Sequence, residues 1–128
     1  MIETVQINLN TTLEDYAEVA YLAPLLREMK AEARVLSERL RGRTVWMVNS
    51  TAQGGGVAEM LPRVVSMLCE LGVETKWAVI NSDDMAFFDL TKQLHNLIHD
   101  SGSLQLSEGA RDTYEATNRR NADAFAPM

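Results

Sequence analysis

Three consecutive glycines, Gly54 to Gly56, follow an apolar run and precede an apolar-periodic segment in the stretch VNSTAQGGGVAEML. Glycines let a backbone approach a ligand closely, and the free N–H groups at a helix start can donate to an oxyanion or a hydroxyl. In open α/β sheets, ligands bind at the carboxyl ends of strands, where Asn49, Ser50 and Thr51 would lie. The pattern predicts a loop for a polyhydroxyl or sugar-phosphate ligand, although a glycine-rich turn before a self-capped helix would also explain it.

Glu59 narrows the class of ligand that this loop could hold. If Gly54 and Gly56 are the first two glycines of G-x-G-x-x-G, the third position falls on Glu59. A carboxylate there disfavours a bound pyrophosphate, so the loop is not a dinucleotide fingerprint, and no Gly-Lys-Ser/Thr follows to make a P-loop. With Gly56 as N-cap, Glu59 would stand at N3 and could bond back to the cap N–H.

The segments around the loop predict a βαβ unit over residues 44–81. The run TVWMVN at 44–49 is typical of a parallel strand buried on both faces, and ETKWAVIN at 74–81 is a second strand. Between them lies a helix that ends at Gly72. Its predicted inner face consists of Val57, Met60, Leu61, Val64, Val65, Leu68 and Leu71.

Two residues of this helix carry expectations of their own. Pro62 cannot donate to Ala58, so the helix is expected to be kinked or to begin late. Cys69 is the one cysteine of the chain, which excludes an intramolecular disulfide. Its place on the apolar face predicts a buried thiol.

The first part of the chain, residues 1–42, predicts a strand and a helix. Alternating apolar residues predict a half-buried strand over 4–10, and Thr11 and Thr12 can cap a short helical turn after it. An amphipathic helix is predicted from Pro24 to Arg41, with Gly42 as its stop. Its apolar positions are Leu25, Leu26, Met29, Ala33, Leu36 and Leu40.

The last part of the chain predicts two further helices. The first spans 83–99, is capped by residues 82–84, and has Phe88, Leu94, Leu97 and Ile98 on its inner side. The second spans 107–125 and has a thin apolar stripe, mainly Ala110, Tyr114 and Phe125, so it is expected to be exposed to solvent or to pack on something that the chain does not contain. Residues 1–128 are thus predicted to be one partial Rossmann-like α/β domain, a small, mostly parallel sheet flanked by helices.

Composition and charge exclude several function classes. The formal net charge is −6 and the pI about 4.8, so neither nucleic acid nor a membrane surface is an expected partner. The N-terminus does not resemble a signal peptide, and no apolar run approaches the roughly 20 residues of a membrane span, so a cytoplasmic protein is expected. No spacing of histidine, cysteine and aspartate resembles a metal site, and no Ser-His-Asp set can be assembled.

The glycine block and its neighbours resemble retaining GT-B glycosyltransferases of the trehalose synthase type. The segments LEDYAEVA, LRGRTVWMVNST, LGVETKWAVI, FFDLTKQLHNLIH and YEATNRRNADAF are similar to successive blocks of that family, in the same order. Such enzymes transfer glucose from a nucleotide-diphosphate sugar to glucose, in a cleft between two Rossmann-like domains. The resemblance implies nucleotide-diphosphate glucose as co-substrate and no cofactor.

The resemblance implies substrate-binding positions but no catalytic residue. These positions are Asn49, Ser50, Thr51, Gly54, Gly55, Gly56, Lys92 and His95. Lys92 and His95 carry over less directly, since a solvated lysine and a structural histidine also explain them. The chain departs from the family at Met47, where a histidine near the cleft is usual, and at Pro62.

The similar blocks end before the family's strand with a His-Asp-Pro motif and before its C-terminal domain, which carries acidic catalytic residues. The expected function is therefore that of a trehalose synthase-like N-terminal fragment, not catalytic alone, which needs a complementing glycosyltransferase chain or C-terminal domain. The alternative is a non-catalytic module that binds a sugar or nucleotide sugar. In both cases the exposed edges of a small sheet predict a homodimer or higher oligomer. A nucleotide-binding regulatory domain fits less well because of Glu59.

Overall fold

The computed structural model of the chain describes residues 2–80, 85–99 and 105–128. The elements are strand β1 (Ile2–Thr4), a 3-10 helix (Leu13–Glu18), helix α1 (Ala23–Arg39), strand β2 (Val45–Asn49), helix α2 (Gly56–Glu70), strand β3 (Thr75–Ile80), helix α3 (Met85–Ile98) and helix α4 (Ala110–Phe125). Together they make an α/β fold with a three-stranded mixed sheet flanked by helices. The predicted fold class is confirmed. Among the described residues, no helix has the length and apolar character needed to cross a membrane.

The chain divides into two compact units. One comprises residues 4–79, and the other comprises residues 1–3 together with 80–128. The first unit holds the glycine loop and its helix, and the second holds α3 and α4. A single domain over 1–128 stays a prediction.

Strand β2, helix α2 and strand β3 form the predicted βαβ unit. The strand order is β1-β3-β2, and β2 runs parallel to β3 with Val45 opposite Thr75 and Asn49 opposite Val79. The core cluster of this unit consists of Ala58, Leu61, Val65, Trp77 and Val79. Helix α2 thus packs on β3 through residues three and four apart, as its apolar period predicts.

Two predictions about burial are wrong in part: that strand β2 is buried on both faces, and that all seven apolar residues of the predicted α2 face point inward. Val48 is 53% exposed, because β2 is an edge strand of the described sheet and Val48 points to the face opposite Met47, which packs against the core. Val57 and Met60 of α2 are exposed as well, since the stripe that meets the sheet is narrower than the predicted face.

Cys69 is exposed rather than buried. It lies in the last turn of α2, after that helix's residues of the core cluster, and its Sγ donates to the carbonyl oxygen of Thr75, the first residue of β3, at 3.4 Å. Pro62 lies inside α2, which begins at Gly56, so the late start is wrong, and the alternative, a kink at Pro62, stays a prediction.

The strand predicted over residues 4–10 is wrong for most of its length, because β1 ends at Thr4. The Val5 N–H still donates to the Trp77 carbonyl oxygen at 2.8 Å, and Val5 and Ile7 pack against the core cluster. Leu9 is exposed. The alternation of apolar residues therefore indicates which side chains face the core. Side chains can face the core without the segment being hydrogen-bonded as a strand.

The helix start signals of the first unit are confirmed. Thr12 is the N-cap of the 3-10 helix, and its N–H donates to Asp15 Oδ2 at 2.6 Å. Pro24 lies in the first turn of α1. The predicted inner face of α1 is wrong in part, because Leu26 is buried while Leu25 and Leu36 are exposed.

In the second unit, helix α3 packs against helix α4. The rings of Phe87 and Tyr114 stack with centroids 6.0 Å apart. Phe87 and Leu90 are the buried residues of α3, whereas Ile98, predicted to face inward, is 81% exposed. Helix α4 begins at Ala110 instead of 107, because Gly109 adopts a left-handed φ of +82°. The predicted caps of α3 at 82–84 lie outside the described residues.

Candidate functional site

The loop between β2 and α2 is shaped by its own side chains. Asn49 donates from Nδ2 to the Thr51 carbonyl oxygen at 3.0 Å, and its Oδ1 accepts from the Ser50 N–H at 2.8 Å. Thr51 Oγ1 donates to the Gln53 carbonyl oxygen at 2.7 Å and accepts from the Gln53 N–H at 3.1 Å. Asn49 and Thr51 therefore organise the loop, and Ser50 is an exposed hydroxyl beside them.

Gly54 and Gly55 give the loop a backbone path that other residues rarely adopt. Their φ angles are +75° and +82°, in the left-handed region. Gly55 is the N-cap of α2, so the prediction that Gly56 caps the helix is wrong by one residue. Glu59 consequently stands one position beyond N3, and its N–H donates to the Gly55 carbonyl oxygen at 3.2 Å. No side-chain cap bond forms at this helix start, so the self-capped helix is not observed.

The start of α2 offers backbone donors to open space. In an α-helix the N–H groups of the first turn have no intrahelical acceptor, and here these belong to Gly56, Val57 and Ala58. Gly56 and Val57 are exposed, whereas Ala58 is buried, so the first two are the donors that a ligand could reach. A Cβ built on Gly54, Gly55 or Gly56 would meet no atom within 4 Å. Oxygen atoms of a ligand could therefore approach the backbone at this point.

The chemistry of the loop is that of binding. Residues 49–56, NSTAQGGG, contain hydroxyls, amides and backbone N–H groups but no titratable side chain. The helix start favours a partial negative charge, while the exposed carboxylate of Glu59 lies in the first turn of α2. The arrangement suits hydroxyl oxygens, or a phosphate oxygen held on the side of the loop away from Glu59.

Lys92 and His95 belong to the second unit. Both lie exposed on α3, and the His95 ring is 4.5 Å from the His99 ring between centroids. The structure thus gathers Asn49, Ser50, Thr51 and the three glycines in one loop of the first unit and leaves Lys92 and His95 on a helix of the second. Their shared role in substrate binding stays a prediction.

Two residues have roles that the sequence did not indicate. Met47, which stands where the family usually has a histidine near the cleft, packs against the core cluster, so its side chain contributes to packing. Gln53 closes the loop through two bonds to Thr51. Thr51 two residues before Gln53 is a turn signal that could have suggested this contact.

Comparisons with known proteins point to one family. The family model "Trehalose synthase, N-terminal domain" matches residues 47–127. The chain is 37% identical over 110 residues to trehalose synthase of Pyrococcus horikoshii, covering 86% of this chain and 25% of the relative. It is 38% identical over 106 residues to trehalose synthase of Rubrobacter xylanophilus, covering 83% and 25%.

A more distant relative carries a different name. Trehalose phosphorylase of Pleurotus pulmonarius is 31% identical over 127 residues, covering 91% of this chain and 15% of the relative. The chain spans about a quarter of the length of the trehalose synthases it matches. The resemblance drawn from the glycine block and its neighbours is confirmed, and the chain belongs to the trehalose synthase family, within its N-terminal domain.

Proposed function

We propose that this chain forms one wall of the active-site cleft of a trehalose synthase-like glucosyltransferase. In this proposal residues 49–56 bind the sugar or the nucleotide-diphosphate glucose, with Lys92 and His95 as further contacts. The observation that carries the proposal is the start of α2, where backbone donors without intrahelical acceptors open onto free space beside a self-organised loop. The GT-B architecture and a cytoplasmic location belong to the same proposal.

The chain contributes binding, and catalysis needs a partner chain or a C-terminal domain. Glycosyl transfer requires stabilisation of an oxocarbenium-like centre and of the departing diphosphate. The N–H groups at the start of α2 suit the second task. The first task calls for a carboxylate or another negative group beside the sugar, and residues 49–56 contain none.

Complementation tests this proposal. The chain is mixed with a polypeptide that comprises the rest of a trehalose synthase, and trehalose formation from glucose and each of several nucleotide-diphosphate glucoses is measured. We expect product from the mixture and none from either part alone. A mixture that stays inactive with every donor would contradict the split-enzyme proposal. A Gly55→Val chain, which cannot easily hold a φ of +82°, is the matched negative control.

A second candidate function is that of an oligomerising module. Apolar side chains on and just before α1 are open to solvent: Tyr21 at 76%, Val35 at 64%, and also Leu25 and Leu36. Exposed apolar surface of this kind favours association. A homodimer or higher oligomer would cover it, and this candidate is compatible with the first.

A further inference from the structure

Two imidazole rings lie side by side at the C-terminal end of α3. The ring centroids of His95 and His99 are 4.5 Å apart, and the ring planes are inclined by 53°. Both residues are exposed, and they are the two histidines of the chain.

The backbone fixes this proximity. His99 directly follows the last residue of α3, and its N–H donates to the His95 carbonyl oxygen at 3.2 Å, so helical geometry extends to His99. Residues four apart on a helix lie one above the other on the same face. Little ordering is therefore needed to present both rings to one partner.

The separation of the rings is close to that of two imidazoles bound to one metal ion. An imidazole nitrogen binds zinc at about 2.0–2.1 Å, which places the ion roughly 3.2 Å from the ring centroid. Two such rings on one ion would have centroids roughly 4.5 Å apart at a right angle and roughly 5.2 Å apart at the tetrahedral angle, so the observed 4.5 Å lies at the short end of this range. Two histidines at this spacing on a helix face are also the arrangement that supplies two ligands in helical zinc motifs.

We propose that His95 and His99 form a two-ligand chelate for a divalent transition cation of the nickel, copper or zinc type, the ions that imidazole prefers. Among the described residues, no group of three or more histidine, cysteine or carboxylate side chains could hold a metal. Water would therefore complete the coordination, and the affinity rests on the two nitrogens. This site is independent of the glycine loop, and the proposal does not rest on the transferase function, although His95 is also one of the proposed sugar contacts.

The surroundings of the pair set limits on the affinity. Lys92 stands one turn before His95 on the same helix and carries a like charge to the ion. It is exposed, so solvent and salt screen its repulsion. The ion would clamp the last turn of α3 and would stabilise the folded chain through its preference for the folded state.

Calorimetric titration of the whole chain with Ni²⁺ alone, at about pH 8, tests the proposal. We expect one saturable site per chain. His95→Asn and His99→Asn should each weaken nickel binding by roughly tenfold or more, as loss of a ligand requires. Gln93→Asn, an exposed change on the same helix, should leave the affinity unchanged. Circular dichroism establishes that each variant keeps its helix content.

Three results would overturn the chelate. The first is that the wild type binds no nickel. The second is that the wild type and both histidine variants bind nickel with equal affinity, and the third is that Cys69→Ser binds none. The last result would assign the ion to the exposed Cys69 thiol instead.

Discussion

The backbone conformation favours glycine at positions 54 and 55 but not at position 56. Gly54 and Gly55 have left-handed φ angles, whereas Gly56 is the first helical residue of α2 and has open space at its Cβ position. The backbone of the chain does not require glycine there. A requirement for glycine at 56 would come from a ligand that approaches the backbone.

Gly56→Ala should therefore separate stability from binding. We expect unfolding free energy to stay the same or to rise by up to about 1 kcal/mol, since alanine favours a helix over glycine. Affinity for nucleotide-diphosphate glucose should fall by roughly tenfold, about 1.4 kcal/mol. Urea denaturation and calorimetry measure the two quantities. Unchanged affinity would mean that no ligand reaches the backbone at this residue.

Glu74 provides a prediction about acid. Its carboxylate accepts from Thr44 Oγ1 at 2.8 Å and lies 3.1 Å from Lys76 Nζ. These hydrogen bonds, and the charge of Lys76, lower the pKa of Glu74 below its ordinary value of 4.5. The carboxylate thus stabilises the folded state above its ordinary pKa, and this contribution is lost as pH falls through the lower folded pKa.

Replacing Glu74 should make the chain less sensitive to mild acid. We expect Glu74→Gln to be less stable than the wild type at about pH 6, and the gap to narrow toward about pH 3. Urea denaturation at several pH values measures it. Since the pair is exposed, salt should reduce the gap as well. A gap that widens in acid would contradict the assigned direction.

Leu61 and Met60 are neighbours on α2 with opposite environments, which gives a matched test of the core. Leu61 is 7% exposed and packs in the core cluster, whereas Met60 is 54% exposed. Leu61→Ala should destabilise the chain by about 2–4 kcal/mol through lost burial and a residual cavity. Met60→Ala should change stability by less than about 0.5 kcal/mol. Equal effects in urea denaturation would mean that α2 packs on the sheet through another face.

At the scale of elements, the period of apolar residues predicts which side chains face the core, but it does not predict which segments form hydrogen-bonded strands. The period of α2 and the strand formers at 44–49 and 74–81 predicted the βαβ unit closely. Val5 and Ile7 follow the alternating pattern because both side chains contact the core. The segment that carries them is nevertheless outside strand β1, and its bond to the sheet is the one from the Val5 N–H to the Trp77 carbonyl oxygen. Exposure of Val48 depends on the order of strands, which no local pattern contains.

The candidate site was predictable in its composition and less so in its geometry. A glycine block between a strand and a helix predicted a binding loop, because glycine chemistry is local. Three adjacent glycines do not reveal which one takes the cap conformation, and the N-cap proved to be Gly55. The helix predicted over 83–99 already contains His95 and His99 four residues apart, so their proximity could have been predicted. In the structure α3 ends at Ile98, and the bond from the His99 N–H to the His95 carbonyl oxygen continues the helical geometry.

At the scale of the whole molecule, exposed apolar surface predicts self-association. Val35 and Leu36 on α1 are more than half exposed. Light scattering at high micromolar concentration should show a dimer or larger species, and Val35→Lys with Leu36→Lys should shift it toward the monomer. Arg34→Lys, on the same helix, is the control. A stable wild-type monomer at this concentration would exclude the oligomeric proposal.

The chain spans about a quarter of its trehalose synthase relatives, so its own contribution is best measured as binding. The most direct test follows the backbone amide resonances of the whole chain during titration with glucose and with nucleotide-diphosphate glucoses. We expect the amides of Gly55, Gly56, Val57 and Ala58 to shift with saturation and those of α4 to stay in place. Resonances at 55–58 that remain unmoved by every one of these ligands would contradict it.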